Sequence, residues 1–300
     1  MNGERRAGLA AIGIDARELH DLVEIALSED LHYGPDVTSE ATIPLDQRAD
    51  ADVVAREPGV VCGVTVAIAV LESVRFPLSG VTIIHRDGEV IEAREPVLHL
   101  SGPLRPLLLA ERTMLNFMTH LSGVATSTRA WVRALEGTKC KVRDTRKTTP
   151  GLRQLEKYAV RCGGGMNHRM GLGDAALIKD NHIAAAGGIT RAVSAIREAY
   201  PDLTLEVECD TLEQVLEAVE AGCSQILLDN MSLEEITSAV AIARRLPGVC
   251  VEASGGMTIE HARVVADAGV DYIAVGSLTH SAVALDLGLD IVTRTEALAE

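Results

Sequence analysis

From about Lys139 onward, short β-branched or apolar runs alternate with helical patterns at roughly the spacing of a βα unit. This alternation restricts that half of the chain to parallel strands joined by crossover helices. The runs are Cys140-Lys141-Val142-Arg143, Ala176-Leu177-Ile178-Lys179, Leu205-Glu206-Val207-Glu208, Gln225-Ile226-Leu227-Leu228-Asp229, Val249-Cys250-Val251-Glu252 and Tyr272-Ile273-Ala274-Val275. Helices are expected between them over residues 211–222 and 232–246, with Thr211 and Ser232 as N-caps and Gly222 as a C-cap. An open doubly wound sheet and an α/β barrel share this pattern. A barrel gathers every C-terminal strand end at one mouth, whereas an open sheet uses only those near its switch point. Lys179, Glu208, Asp229, the Ser254-Gly255-Gly256 turn and the Gly276-Ser277 pair each end a different strand, which favours the barrel. Six clear strands make it an incomplete one.

The first part of the chain has a different grammar. Residues 15–30 form an acidic helix candidate, residues 51–57, 81–85 and 97–101 read as strands, and Pro58-Gly59 and Gly102-Pro103 end elements. A smaller α+β domain is expected here. A long helical pattern over residues 104–135, with Gly123 as its weak point, links it to the barrel. Residues 1–11 have no apolar block ahead of a small-residue cleavage site and read as a short loose tail.

Bulk properties remove several function classes. In 300 residues, 47% of them hydrophobic, a substantial core is available, yet no apolar run is long enough to span a bilayer. A formal charge of −15, with two Phe, four Tyr and one Trp, argues against a polynucleotide partner. The six cysteines (Cys62, Cys140, Cys162, Cys209, Cys223, Cys250) are dispersed, with no C-x-x-C pair. They read as small core residues in a reducing, cytoplasmic compartment. Within this acidic chain, residues 139–179 hold ten Lys or Arg and three acids. That run is either a solvated basic face or a site for an anion.

The chemistry-bearing residues cluster around that basic run. Arg143, Arg146 and Lys147 put three cations in five residues at a strand end, with Thr145 between them. Bidentate guanidinium and mobile ammonium groups suit planar carboxylates and phosphates, and structural ion pairs account for one such charge more easily than for three. In Arg161-Cys162-Gly163-Gly164-Gly165-Met166-Asn167-His168-Arg169 the glycines allow close backbone approach while His168 and Arg169 supply donors. Lys179, at a strand end, is either a Schiff-base amine or a fixed cation for an anionic substrate, and the surrounding cations favour the second. Glu208 and Asp229 suit Mg²⁺ held together with substrate phosphates, or else they balance the cations. The turns at Ser254-Gly255-Gly256 and Val275-Gly276-Ser277 stand on the last two strand ends, where barrels bind phosphate. There is no G-x-G-x-x-G, Walker A or H-E-x-x-H sequence. Arg112 lies on a helix between Leu108 and Leu115, and so projects from an apolar face. It either snorkels or pairs with Glu111, or this face meets a surface carrying an anion.

The runs Ala110-Glu111-Arg112-Thr113-Met114-Leu115-Asn116, residues 143–153, 157–169 and 171–182, and Val275 through His280 resemble those of quinolinate phosphoribosyltransferases, also called carboxylating nicotinate-nucleotide pyrophosphorylases. The resemblance extends from near Glu29-Asp30 to Asp286; a small departure is Ala253, where many members have Ser. It implies an N-terminal α+β sandwich domain over residues 1–115, an incomplete α/β barrel over residues 116–283, and a C-terminal tail, residues 284–300, packed back on the first domain. It also implies a homodimer in which Arg112 enters the neighbouring subunit's barrel mouth. Arg112, Arg146, His168, Arg169 and Lys179, assisted by Lys147 and beside Thr145, would grip quinolinate. Glu208 and Asp229 would face the ribose and Mg-pyrophosphate, and the two Gly turns would hold the 5-phosphate. Lys147, Lys179, Glu208 and Asp229 form the expected catalytic set, with Mg²⁺ as cofactor. The activity implied is transfer of the phosphoribosyl group of phosphoribosyl pyrophosphate to quinolinate, with decarboxylation, in NAD biosynthesis. The alternatives at this point are a nicotinate-type phosphoribosyltransferase, a Schiff-base lyase acting through Lys179, and a non-catalytic metabolite-binding barrel.

Overall fold

A computed structural model describes residues 3–292, which fall into two units. Of these, the first comprises residues 3–127, 149–164 and 281–292, and the second residues 128–148 and 165–280. Among the described residues, no helix is long and apolar enough to cross a membrane.

The first unit is built on an antiparallel sheet. Its strands are β1 (Arg48–Ala55), β2 (Gly59–Val60), β3 (Val81–Ile83), β4 (Val90–Ile91) and β5 (Pro96–Pro103); β2 and β4 pair separately as a two-stranded ribbon. In β1 the pleat alternates strictly: Ala49, Ala51, Val53 and Ala55 are buried, while the intervening residues are more exposed. The C-terminal segment returns as β12 (Leu287–Val292), antiparallel to β1, giving the order β12-β1-β5-β3. Residues 293–300, the rest of the expected tail, lie outside the described residues. Near the other terminus the expected loose tail is instead a helix, Gly3–Ala11. It is held by Leu9, which is buried, and by the ion pair of Arg5 with Glu72 at 2.6 Å. Two long-range contacts fix a segment whose own sequence gives little helical signal.

The helix Leu104–Ala134 is continuous, and the expected break at Gly123 does not occur. Gly123 serves a different purpose. A Cβ there would lie 2.2 Å from the Val283 carbonyl oxygen and 2.9 Å from Ala284 Cα, so the returning chain packs directly on the helix backbone. Beside it, Ser122 donates to the Cys62 carbonyl and accepts its N–H, at 3.0 and 2.9 Å, while Thr126 accepts the Val60 N–H. A stripe of small and hydroxylated residues at helical spacing thus satisfies the edge of β2.

The second unit contains six parallel strands: β6 (Lys141–Arg143), β7 (Ala176–Ile178), β8 (Leu205–Cys209), β9 (Gln225–Asp229), β10 (Cys250–Ser254) and β11 (Tyr272–Ala274). Their order is β6-β11-β10-β9-β8-β7, so the barrel is open between β6 and β7. The helices after β8 and β9 begin at capping boxes, Thr211 with Gln214 and Ser232 with Glu235. Gly222, with φ +74°, follows the cap residue Ala221 in the left-handed conformation that glycine tolerates. The helix Arg153–Cys162, between β6 and β7 in sequence, belongs to the first unit. The basic run is therefore divided. Arg161 donates to the Ile12 carbonyl and Lys157 is fully buried, both in the first unit.

Candidate active site

Successive residues on a strand point to opposite faces, so residues two apart share one. Four of the parallel strands therefore present pairs to the barrel interior: Leu177 and Lys179, Glu206 and Glu208, Leu227 and Asp229, Glu252 and Ser254. The outer member of each pair stands at or just beyond the strand end. With the loop after β6 these ends enclose a cavity of about 360 Å³, lined by Thr145, Arg146, Lys147, His168, Arg169, Lys179, Glu208, Asp229 and Ser254, and below them by Leu177, Leu227, Glu252 and Ala274.

The cations reach the cavity in different ways. Lys179 is ion-paired with Glu208, and its backbone N–H donates to His182 Nδ1 at 3.0 Å. Arg169 donates to the Ala175 carbonyl at 2.9 Å, and the turn that follows is clamped by Asp174, which accepts the Met170 and Gly171 N–H groups. Burial, then the neighbouring Arg146 charge, lower the pKa of Arg169. Arg146 Nε is buried and has no hydrogen-bond partner. A crowded pair of guanidinium groups with a donor left over is stabilised by an added anion. The third cation of the motif, Arg143, is a structural one: it bonds Glu252 at 2.7 Å and lies 3.8 Å from the Tyr272 ring centre.

The two glycine turns differ. Gly255 has φ +89°, and a Cβ there would fall 2.2 Å from Asn230 Oδ1, so glycine is required where this turn passes the end of β9. Gly276 lies under the stem of Lys147, whose Cδ would be 2.9 Å from an added Cβ, and Thr279 Oγ1 donates to the Lys147 carbonyl at 2.7 Å. The Lys147 loop and this turn are thereby held together. Val275 is buried and its N–H bonds the Arg143 carbonyl at 2.9 Å, which removes it as a ligand donor; Ser277 is exposed.

His168 also departs from its expected use as a donor. Its Nδ1 accepts the Arg169 N–H at 2.7 Å, and its Nε2 lies 2.7 Å from Glu206 Oε2. The first contact assigns the ring proton to Nε2, which donates to Glu206. Both nitrogens are thus engaged within the protein. Asp144, fully buried, fixes the same loop by accepting the His168 N–H at 2.9 Å and the Asn167 amide. Glu206 and Glu252 escaped the sequence reading, which took only strand-end residues. Their signal was present: each is a carboxylate inside an apolar strand, two residues before a cavity residue. Among the described residues, His168, Glu206 and Glu252 have the proximity of metal ligands, with donor atoms within 4.8 Å of one another. Arg143 already supplies the positive charge there.

Arg112 belongs to the first unit and is exposed in the single chain. The cost of a desolvated guanidinium, which made it notable in sequence, is not incurred there.

A cavity too small for a polymer, with cations in excess of carboxylates at the mouth of a parallel strand array, defines an α/β-barrel enzyme for a small polyanion. Comparison with known proteins narrows the class. Residues 36–122 match the N-terminal domain, and residues 124–290 the C-terminal domain, of quinolinate phosphoribosyl transferase. The chain is 51% identical over 276 residues to the carboxylating nicotinate-nucleotide pyrophosphorylase of Mycobacterium leprae, covering 90% of this chain and 96% of that one. It is 41% identical to the probable enzyme of the same name from Bacillus subtilis, covering 94% and 96%. The solved structure of the nicotinate-nucleotide pyrophosphorylase from Francisella tularensis superposes with a TM-score of 0.85 at 38% identity, covering 92% of this chain and 96% of that one. The chain belongs to the quinolinate phosphoribosyltransferase family.

Proposed function

We infer that this protein transfers the phosphoribosyl group of phosphoribosyl pyrophosphate to quinolinate and releases carbon dioxide, forming nicotinate mononucleotide and pyrophosphate in NAD biosynthesis. The observation that carries the reading is the single cavity in which Arg146, Lys147, Arg169 and Lys179 face Glu208 and Asp229. Quinolinate brings two carboxylates and phosphoribosyl pyrophosphate brings phosphates, so the substrates are polyanions of the size and charge that this cavity takes.

The residues divide the work by charge. Arg146, with its unpartnered Nε, and Arg169 hold the ring carboxylates in the planar geometry that guanidinium groups favour. Lys179 turns from Glu208 to the substrate, and Lys147 steadies the phosphate side, where its stem overlies Gly276. Loss of pyrophosphate builds positive charge at the anomeric carbon, which Glu208 and Asp229 stabilise. Attack by the pyridine nitrogen gives a cationic ring that accepts the electrons of the departing C2 carboxylate, so the ring serves as its own electron sink. The turns at Gly255-Gly256 and Gly276-Ser277 receive the 5-phosphate.

Two carboxylates in the cavity lining suit a Mg²⁺ ion shared with substrate phosphates, and Glu208 and Asp229 would hold it there. When bound it supplies positive charge to the leaving pyrophosphate. The reading includes a homodimer in which Arg112 reaches the neighbouring subunit's cavity, and a cytoplasmic setting in keeping with six free cysteines. The direct test supplies the purified protein with quinolinate, phosphoribosyl pyrophosphate and Mg²⁺. Stoichiometric pyrophosphate and carbon dioxide are expected, with no turnover of nicotinate in place of quinolinate; a folded protein that releases neither product overturns the assignment.

A further inference from the structure

Beneath the strand-end residues lies a layer that most barrels fill with branched aliphatic side chains. Here it contains Glu206 and Glu252, 3% and 2% exposed, with Arg143 beside them. Removing two carboxylates from water is costly unless charge and hydrogen bonds are matched. They are not fully matched. His168, whose Nδ1 accepts the Arg169 N–H, turns its Nε2 to Glu206. Among the described residues, Arg143 is the one Arg or Lys bonded to the pair, through Glu252 Oε2 at 2.7 Å. The other oxygen, Glu252 Oε1, is buried without a hydrogen-bond partner, 3.6 Å from His168 Nε2. With one bonded guanidinium for two buried carboxyl groups, the unpartnered oxygen of Glu252 is the place for a proton.

The surroundings agree from every side. Glu206 faces Glu252 from β8, Arg143 from β6, Tyr272 stands on β11 under Arg143, Cys140 precedes β6, and Leu227 on β9 is apolar. Burial first, and then the Glu206 charge, push the Glu252 carboxyl up to about 7 against the opposing pull of His168 and Arg143. Glu252 is separated from Glu208 by β9, since Leu227 is the register partner of both. It also lines the cavity.

We propose that Glu252 is a catalytic acid, which protonates C2 of the pyridine ring once carbon dioxide has left. The inference rests on the decarboxylating transfer assigned above. In the step, the bond from C2 to the carboxyl carbon breaks and its electron pair stays on C2 beside the cationic nitrogen. The O–H bond of Glu252 then breaks as the C2–H bond forms. Glu252 is left as a carboxylate and takes a proton from solvent after product release.

The experiment compares wild type, Glu252→Gln and Glu252→Asp with quinolinate, phosphoribosyl pyrophosphate and Mg²⁺ from about pH 6 to 9. Wild-type kcat is expected to fall as pH rises through about 7, because the acid must be protonated to act. Glu252→Gln is expected to bind quinolinate as wild type does by calorimetry, to lose roughly 10²- to 10⁴-fold in kcat, and to lack the alkaline fall. Glu252→Asp, which keeps an ionisable proton, should recover part of the rate and the pH dependence. A folded Glu252→Gln protein that keeps wild-type kcat and the same alkaline fall overturns the proposal. If that variant does not fold, the wild-type profile decides, and a kcat without alkaline loss overturns it. Failure of the underlying assignment looks different, since wild type itself would then release no pyrophosphate or carbon dioxide.

Discussion

At the level of single residues, the site owes its character to which charges are already satisfied. Arg143 and Arg146 are three positions apart and indistinguishable by composition, yet one is bonded to a buried carboxylate and the other lines the cavity. The strand period of two separates them only once the partner strands are known. His168 illustrates the same point, since neither its Arg169 N–H contact nor its Glu206 contact can be read from a motif. Glu252 carries a consequence for stability. Its folded pKa lies above the ordinary carboxylate value, so between about pH 4.5 and 7 the native state holds a proton that the unfolded chain has released. Stability is therefore expected to fall across that window and to level off above it. Thermal unfolding of wild type and Glu252→Gln should agree near pH 5, with the variant gaining relative to wild type toward pH 8; parallel curves would refute the protonated carboxyl.

At the level of elements, local sequence and tertiary packing make separable contributions. Thr211 and Ser232 cap their helices as their side chains suggest, because a cap is satisfied within four residues. Gly123 shows where local reasoning stops. Read alone it weakens a helix, and alanine in its place should add about 1 kcal/mol of helix propensity. The Val283 carbonyl, however, would lie 2.2 Å from the new Cβ, and backbone on both sides has to move. Overpacking of this kind costs about 1–3 kcal/mol and outweighs the propensity gain. Gly123→Ala should therefore lower the denaturant midpoint, and a higher midpoint would show that the return segment yields easily.

For the whole molecule, the discontinuity of the first unit is the organising fact. Residues 149–164 leave the barrel sequence to join it, and β12 returns to β1 from the far end of the chain. Long-range closure of this kind gives no local sequence signal. The shared-site reading of Arg112 is tested at this scale. Arg112→Ala and Lys179→Ala proteins should each be inactive, and mixing them under conditions that exchange subunits should restore up to about a quarter of wild-type activity, since a random mixture forms half hybrid dimers with one intact site each. Mixtures that stay inactive would remove the donated arginine.

The sequence by itself determined the parallel β/α succession, the two helix caps and the set of strand-end residues, because strand and helix periods and capping act over a few residues. It also carried enough family-specific motif to name the chemistry. Tertiary structure decided which cations face the cavity, why Gly123 sits inside a helix, and that Glu252, Glu206, His168 and Arg143 form one buried cluster. Those outcomes depend on residues as far as 109 positions apart, Arg143 and Glu252, becoming neighbours with water excluded. Charge balance in a low-dielectric interior is set by that proximity, and no short stretch of chain contains it.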